Sequence, residues 1–155
     1  MNGSVDEARA RVRELLERIA AEAGVDADVE VHEGQDGVVA EYLGDDLGLL
    51  IGHHGETIDA IQHLAYRIAV HGDQERKRVT VDAGGYRERR AVALRSAADQ
   101  AAATALQDHR SVSLEAMSAL ERKVIHEHLK TRRDIETYSE GQEPARRLVV
   151  APLID

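Results

Sequence analysis

Apolar side chains at Val5, Ala8, Val12, Leu15, Leu16 and Ile19 recur at steps of three and four residues. That spacing keeps them on one face and predicts a helix from Val5 to Ala23. Gly24 stops it, because glycine is poor inside a helix and favoured just past the last turn. The period then changes to two. Val29 and Val31 alternate with Glu30 and His32, and Val38-Val39-Ala40-Glu41-Tyr42-Leu43 follows after Gly34-Gln35-Asp36-Gly37. Two short runs around a Gly/Asp turn predict a β-hairpin. Asp45 to Ile51 reads as a short helix with Asp45 or Asp46 as its cap. Ile58, Ile61, Leu64, Ala65 and Ile68 restore helical spacing up to His71-Gly72, and Arg78 to Asp82 alternates as a third strand. A three-stranded sheet with helices on one face accounts for this order.

Beyond Ala83-Gly84-Gly85, the most plausible boundary, Tyr86 to about Gln107 forms an Ala-rich helix with Leu94, Ala97, Ala98, Ala101 and Ala105 on one face. Ser113 can cap a further helix whose buried face would be Leu114, Met117, Leu120, Val124 and Leu129. Two short strands, Ile135 to Tyr138 and Arg147 to Val150, flank a turn at Glu140 to Pro144. The expectation is an α+β protein of two small modules, residues 5–83 and 86–155.

Composition narrows the class. The chain has 155 residues and no Cys, so neither disulfides nor thiolate metal sites arise, which fits a reducing cytosol. Its apolar runs are too short to span a membrane, and residues 1–6 lack a basic region followed by an apolar core. A cytoplasmic location is expected. The net charge of −9 argues superficially against a polyanion partner, but it is unevenly spread. Residues 1–44 hold four Arg against eleven Asp or Glu, whereas residues 84–155 hold twelve basic and eleven acidic groups. Local charge outweighs the total when screening acts over about 8 Å.

The stretch Leu49-Leu50-Ile51-Gly52-His53-His54-Gly55 places a G-x-x-G turn between two amphipathic segments. Glycines at both ends allow a sharp turn and a close backbone approach. The helix that follows opens with unpaired N–H groups and its positive dipole end, a setting suited to a phosphate. GXXG loops of KH domains clamp nucleic-acid backbones in this way. Downstream, Arg122 and His126 stand one helical turn apart beside Lys123 and Lys130, with Arg146 near the last strand. An Arg fork and a His ring on one face can both donate to a phosphate oxygen.

With Leu-Ile-Gly-His-His-Gly-Glu-Thr-Ile-Asp-Ala-Ile-Gln-His-Leu at 50–64, residues 5–82 resemble a bacterial (type II) KH domain. Residues 86–151 resemble an R-three-H domain, with Arg122 and His126 as the eponymous pair and Tyr138-Ser139-Glu140-Gly141 and Pro144-Ala145-Arg146 as its second segment. The tandem, joined through Gly85-Tyr86-Arg87-Glu88-Arg89-Arg90, is similar to the Jag family of bacterial single-stranded RNA-binding proteins. Those proteins are associated with the membrane-insertase gene neighbourhood and with control of cell division and elongation. Members commonly carry a further N-terminal domain, whereas residues 1–23 read here as the KH module's first helix. The resemblance implies that Gly52, His53, His54 and Gly55 hold phosphates, while Ile51, Ile58 and Val39 form an apolar groove for bases. It also implies phosphate contacts from Arg122, Lys123, His126 and Arg146. GXXG loops usually carry a Lys or Arg. The two histidines here, in place of a permanent cation, make attraction weaker and pH-dependent.

The expected function is regulatory binding of single-stranded RNA, with single-stranded DNA not distinguished, no cofactor and no catalytic residue. An adaptor docking a small single-KH protein or the insertase is the alternative, favoured by the acidic front third. The oligomeric state is not readable. His126 and His128 are too close on a helix to ligate one ion, and His53, His54 and His63 lack an arranged carboxylate, so no metal site is expected. Neither a phosphate-binding P-loop nor a two-metal carboxylate cluster is present.

Overall fold

The computed structural model of the chain describes residues 3–71 and 78–153. It divides into two compact units between Arg87 and Glu88, beyond the expected Ala83–Gly85 linker. The first unit holds α1 (Gly3–Glu22), β1 (Asp28–Gly34), β2 (Gly37–Leu43), α2 (Gly48–Ile51), a 3-10 turn at His53–Gly55, α3 (Glu56–Ala69) and β3 (Arg78–Ala83). The sheet order is β1-β2-β3, with β1 antiparallel and β3 parallel to β2. A parallel pair needs a crossover, and α2, the turn and α3 supply it.

Alternation in β2 and β3 turns Val38, Ala40, Tyr42, Val79, Val81 and Ala83 inward. They meet the i, i+4 stripe Ala8, Val12, Leu16 and Ala20 of α1, and Ile58, Ile61, Ala65 and Ala69 of α3. Each fully buried Val, Leu or Ile side chain there contributes about 1.5–3 kcal/mol. Tyr42 is buried in this core, and its hydroxyl donates to the Leu16 carbonyl at 2.7 Å. Two expectations change here. No side chain caps α2, whose N-cap is Leu47 rather than Asp45 or Asp46. The helix expected to end near His71-Gly72 ends at Ala69, and Gly72 lies outside the described residues.

The second unit is built on α4 (Tyr86–Asp108), β4 (Val112–Ala116), α5 (Ala119–Leu129), β5 (Ile135–Glu140) and β6 (Arg147–Pro152). β6 is central, antiparallel to both neighbours. Leu94, Ala98, Ala101, Ala102 and Ala105 of α4 pack with Met117, Ile125, Leu129, Ile135, Leu148 and Val150. The sheet therefore has a third strand where a helix from Ser113 was expected. Val112, Ser113 and Ala116 pair with β6, and Ser118 caps α5 by accepting from the Glu121 N–H. The helix starts five residues later than expected, which leaves Leu120 73% exposed and gives its buried place to Ile125.

Candidate functional site

In the first unit the loop conformation is forced. Gly52 has φ 74°, His54 φ 52° and Gly55 φ 80°, all in the left-handed region. A Cβ at Gly52 would stand 2.2 Å from Thr57 Oγ1 and 2.9 Å from its backbone N, and one at Gly55 would stand 2.6 Å from Tyr86 Cε1. Only glycine fits at either end. Between them the His53 and His54 rings stack at 3.8 Å with an interplanar angle of 23°. His53 is exposed and His54 half-buried. Glu56 and Asp59 lie in the first turn of α3, so any attraction for an anion rests on backbone N–H groups and the two imidazoles.

The apolar groove expected beside the loop is only partly there. Ile51 is half-buried against the core and keeps some exposure. Ile58 has no exposed surface and serves the core, because the inward face of α3 carries it. Val39 points away from that core, alternating with buried Val38 and Ala40, and lies beside the β1–β2 turn with Gly34 and Thr80. Neither Ile58 nor Val39 can floor a groove at the loop.

In the second unit, Arg122, Lys123 and His126 on α5, Thr137 and Ser139 on β5, and Arg146 line one open groove of about 460 Å³. Arg122 is buried, with only 7% of it exposed. Its Nη2 donates to Glu143 Oε1 at 2.5 Å, while Nη1 is buried without a hydrogen-bond partner. A buried guanidinium with donors to spare is costly unless something accepts from it. His126 is exposed, with Nδ1 2.6 Å from Thr137 Oγ1. When the Thr137 hydroxyl donates, the neutral ring carries its proton on Nε2 and can donate outward. Arg146 Nη1 donates to the Gly141 carbonyl at 2.8 Å, and Lys123 is exposed. Arg90 grips Glu121 through two bonds of 2.6 and 3.2 Å and so ties α4 to the start of α5.

Four residues that shape these sites were not singled out from the sequence: Thr57, Tyr86, Thr137 and Glu143. Glu143 had a signal, since it lies inside the Ser139-to-Arg146 segment already matched to the R-three-H pattern. A separate cavity of about 590 Å³ in the first unit is lined by Asp26, Asp28, Asp45 and Asp46 and has the wrong sign for phosphate. Among the described residues no group of three or more His, Asp or Glu is placed to hold a metal ion, and no helix is long and apolar enough to cross a membrane.

The model of the KhpA/KhpB KH domain matches residues 9–81, and that of the R-three-H domain matches residues 92–152. RNA-binding protein KhpB of Clostridium symbiosum is 36% identical over 140 residues, covering 89% of this chain and 63% of that protein. The protein of that name from Lactiplantibacillus plantarum is 37% identical over 138 residues, covering 89% and 43%. The Bacillus subtilis protein of that name is 33% identical over 149 residues, covering 95% and 70%. The chain belongs to the KhpB (Jag) family. It spans 63% and 43% of the first two relatives. The resemblance read from residues 50–64 and 122–146 is therefore correct, and both matched modules are binding domains rather than enzymes.

Proposed function

We propose that the protein binds single-stranded RNA by its backbone at two places: the loop Gly52, His53, His54 and Gly55, flanked by Ile51, and the groove of Arg122, Lys123, His126 and Arg146. The observation that carries this reading is Arg122, a buried guanidinium with an unpartnered Nη1 in a groove lined by two more cations and a histidine. Phosphate oxygens satisfy such a donor and are neutralised by the surrounding charge. Bases contribute little, because the chain has no Trp or Phe for stacking. The names of the relatives support RNA over DNA. On family resemblance alone, we assign the activity to cytoplasmic regulation linked to cell division or elongation.

The test is a titration of the full chain with a dye-labelled 12-nucleotide uridine strand, followed by anisotropy at two salt concentrations. With three or four phosphates neutralised, a fourfold rise in salt weakens single-strand binding roughly 20–50-fold. An unlabelled DNA strand of matching length, used as competitor, reads the RNA preference. Absence of binding, or binding indifferent to salt, overturns the reading.

A second reading is favoured by the acidic cavity of the first unit, beside which Leu49 is 71% exposed. In it the KH module docks a protein partner, a small single-KH protein or the insertase, and RNA is incidental. Asp26→Lys with Asp45→Lys separates the two, since only partner capture should then be lost.

A further inference from the structure

Residues 82–91 lie between the two matched modules, yet the first turn of α4 is built into the support of the GXXG loop. The Tyr86 ring packs directly against the Gly55 backbone, close enough that a Cβ there would overlap it. Tyr86 also joins the core of the first unit. Arg87 fixes that turn through three side-chain bonds to two elements, β3 and α3. Its Nε donates to the Val81 carbonyl at 2.9 Å, Nη1 to Asp59 Oδ1 at 2.7 Å and Nη2 to Gln62 Oε1 at 3.0 Å. Gln62 Oε1 also accepts from the Val81 N–H at 2.9 Å, and Asp82 Oδ1 accepts from the Arg87 N–H at 3.2 Å.

The loop needs such support. Three of its four residues are held at positive φ, and His54, which has a Cβ, is strained there. Such a conformation persists only where its surroundings over-determine it. Thr57 closes the Gly52 end, and the Tyr86 ring closes the Gly55 end. Without the ring, nothing stops Gly55 from relaxing into the space left, and the loop N–H groups would point at one phosphate only part of the time. Apparent affinity then falls by the fraction of time the competent loop is present.

We infer that Tyr86, held by Arg87, is a positioning residue for the phosphate loop, so that the working KH site extends past its last strand into α4. The inference rests on the phosphate-clamp reading of the loop. In the full chain, binding of the 12-nucleotide uridine strand is measured for Tyr86→Ala, Tyr86→Phe and His53→Asp/His54→Asp, and for Tyr86→Ala combined with the histidine pair. Tyr86→Ala should lower affinity about three- to tenfold, Tyr86→Phe should restore it, and Tyr86→Ala should add nothing once the histidines are replaced. If Tyr86→Ala is folded and binds like wild type while the histidine pair weakens binding, the positioning role is wrong and the clamp stands. Equal loss from Tyr86→Ala in both backgrounds also overturns the role, because the ring would then act elsewhere. Unchanged binding by the histidine pair removes the clamp and the inference together. Should Tyr86→Ala not fold, Tyr86→Leu takes its place, with amide hydrogen exchange at Gly52 to Gly55 as readout: faster exchange in the folded variant supports positioning, and unchanged exchange overturns it.

Discussion

Replacing Glu143 with Gln should weaken the second unit while tightening its grip on RNA. In the structure Glu143 Oε1 lies 2.5 Å from Arg122 Nη2. A phosphate accepting from the same guanidinium would sit about 5 Å from that carboxylate, where repulsion is ~1–3 kcal/mol for an effective dielectric between ~80 and ~20. The Glu143 side chain is 57% exposed, so the lower end applies. Removing the charge should raise affinity about fivefold, or ~1 kcal/mol, at low salt. The gain should shrink as salt screens the site. Stability moves the other way. A Gln oxygen still accepts from Nη2, but the charge-assisted bond becomes a neutral one, at a cost of about 1 kcal/mol. For a unit of this size that lowers the melting temperature by roughly 4–8 °C. Anisotropy titrations at two salt concentrations and calorimetric melts read both signs in one protein. A folded Glu143→Gln protein that binds RNA equally or more weakly at low salt would refute the reasoning, since phosphate would then not share Arg122 with Glu143.

Gly52→Ala should cost about 1–3 kcal/mol in a thermal melt and weaken RNA binding, because φ 74° is unfavourable for alanine and its Cβ would meet the Thr57 backbone; wild-type affinity in the folded variant would show that the loop geometry is irrelevant to binding. Tyr42→Phe should cost about 1 kcal/mol at pH 7 by removing the buried hydroxyl's bond to the Leu16 carbonyl. Burial raises the Tyr42 phenol pKa above its unfolded value. The stabilisation is therefore complete below about pH 10 and is lost as pH climbs beyond that, where the unfolded chain's phenol ionises first. Melts from pH 7 to 11 should show a flatter alkaline limb for Tyr42→Phe, and equal steepness would assign the alkaline loss to other groups.

The first unit was legible because its elements carry clean periods: i, i+4 from Ala8 to Ala20, and alternation in β2 and β3. The loop was legible because glycines stand where the backbone demands them. The error around Ser113 arose from two candidate caps five residues apart. Ser118 has Glu121 three residues on, the capping-box spacing, whereas Ser113 has Ala116 at that place. Applying that rule would have released Val112-Ser113-Leu114 to a strand and moved Leu120 to the surface. Ile58 was misplaced because its spacing marks a helix face without saying whether core or ligand covers it. The environment of Arg122 could not be read from spacing alone, since Glu143 reaches it from 21 residues away in sequence. Tyr86 was hidden for a similar reason: its partner is a glycine, which offers no side chain to pair with.

The claim that RNA is held at the GXXG loop and at the Arg122 groove is tested most directly by amide chemical-shift mapping of 15N-labelled protein titrated with the 12-nucleotide uridine strand. The account predicts the largest shifts at residues 52–57 in the first unit and at 122–126, 137–139 and 141–147 in the second, with Asp26, Asp28, Asp45 and Asp46 silent. Shifts confined to the acidic cavity, or absent from both sites under saturating RNA, would contradict it.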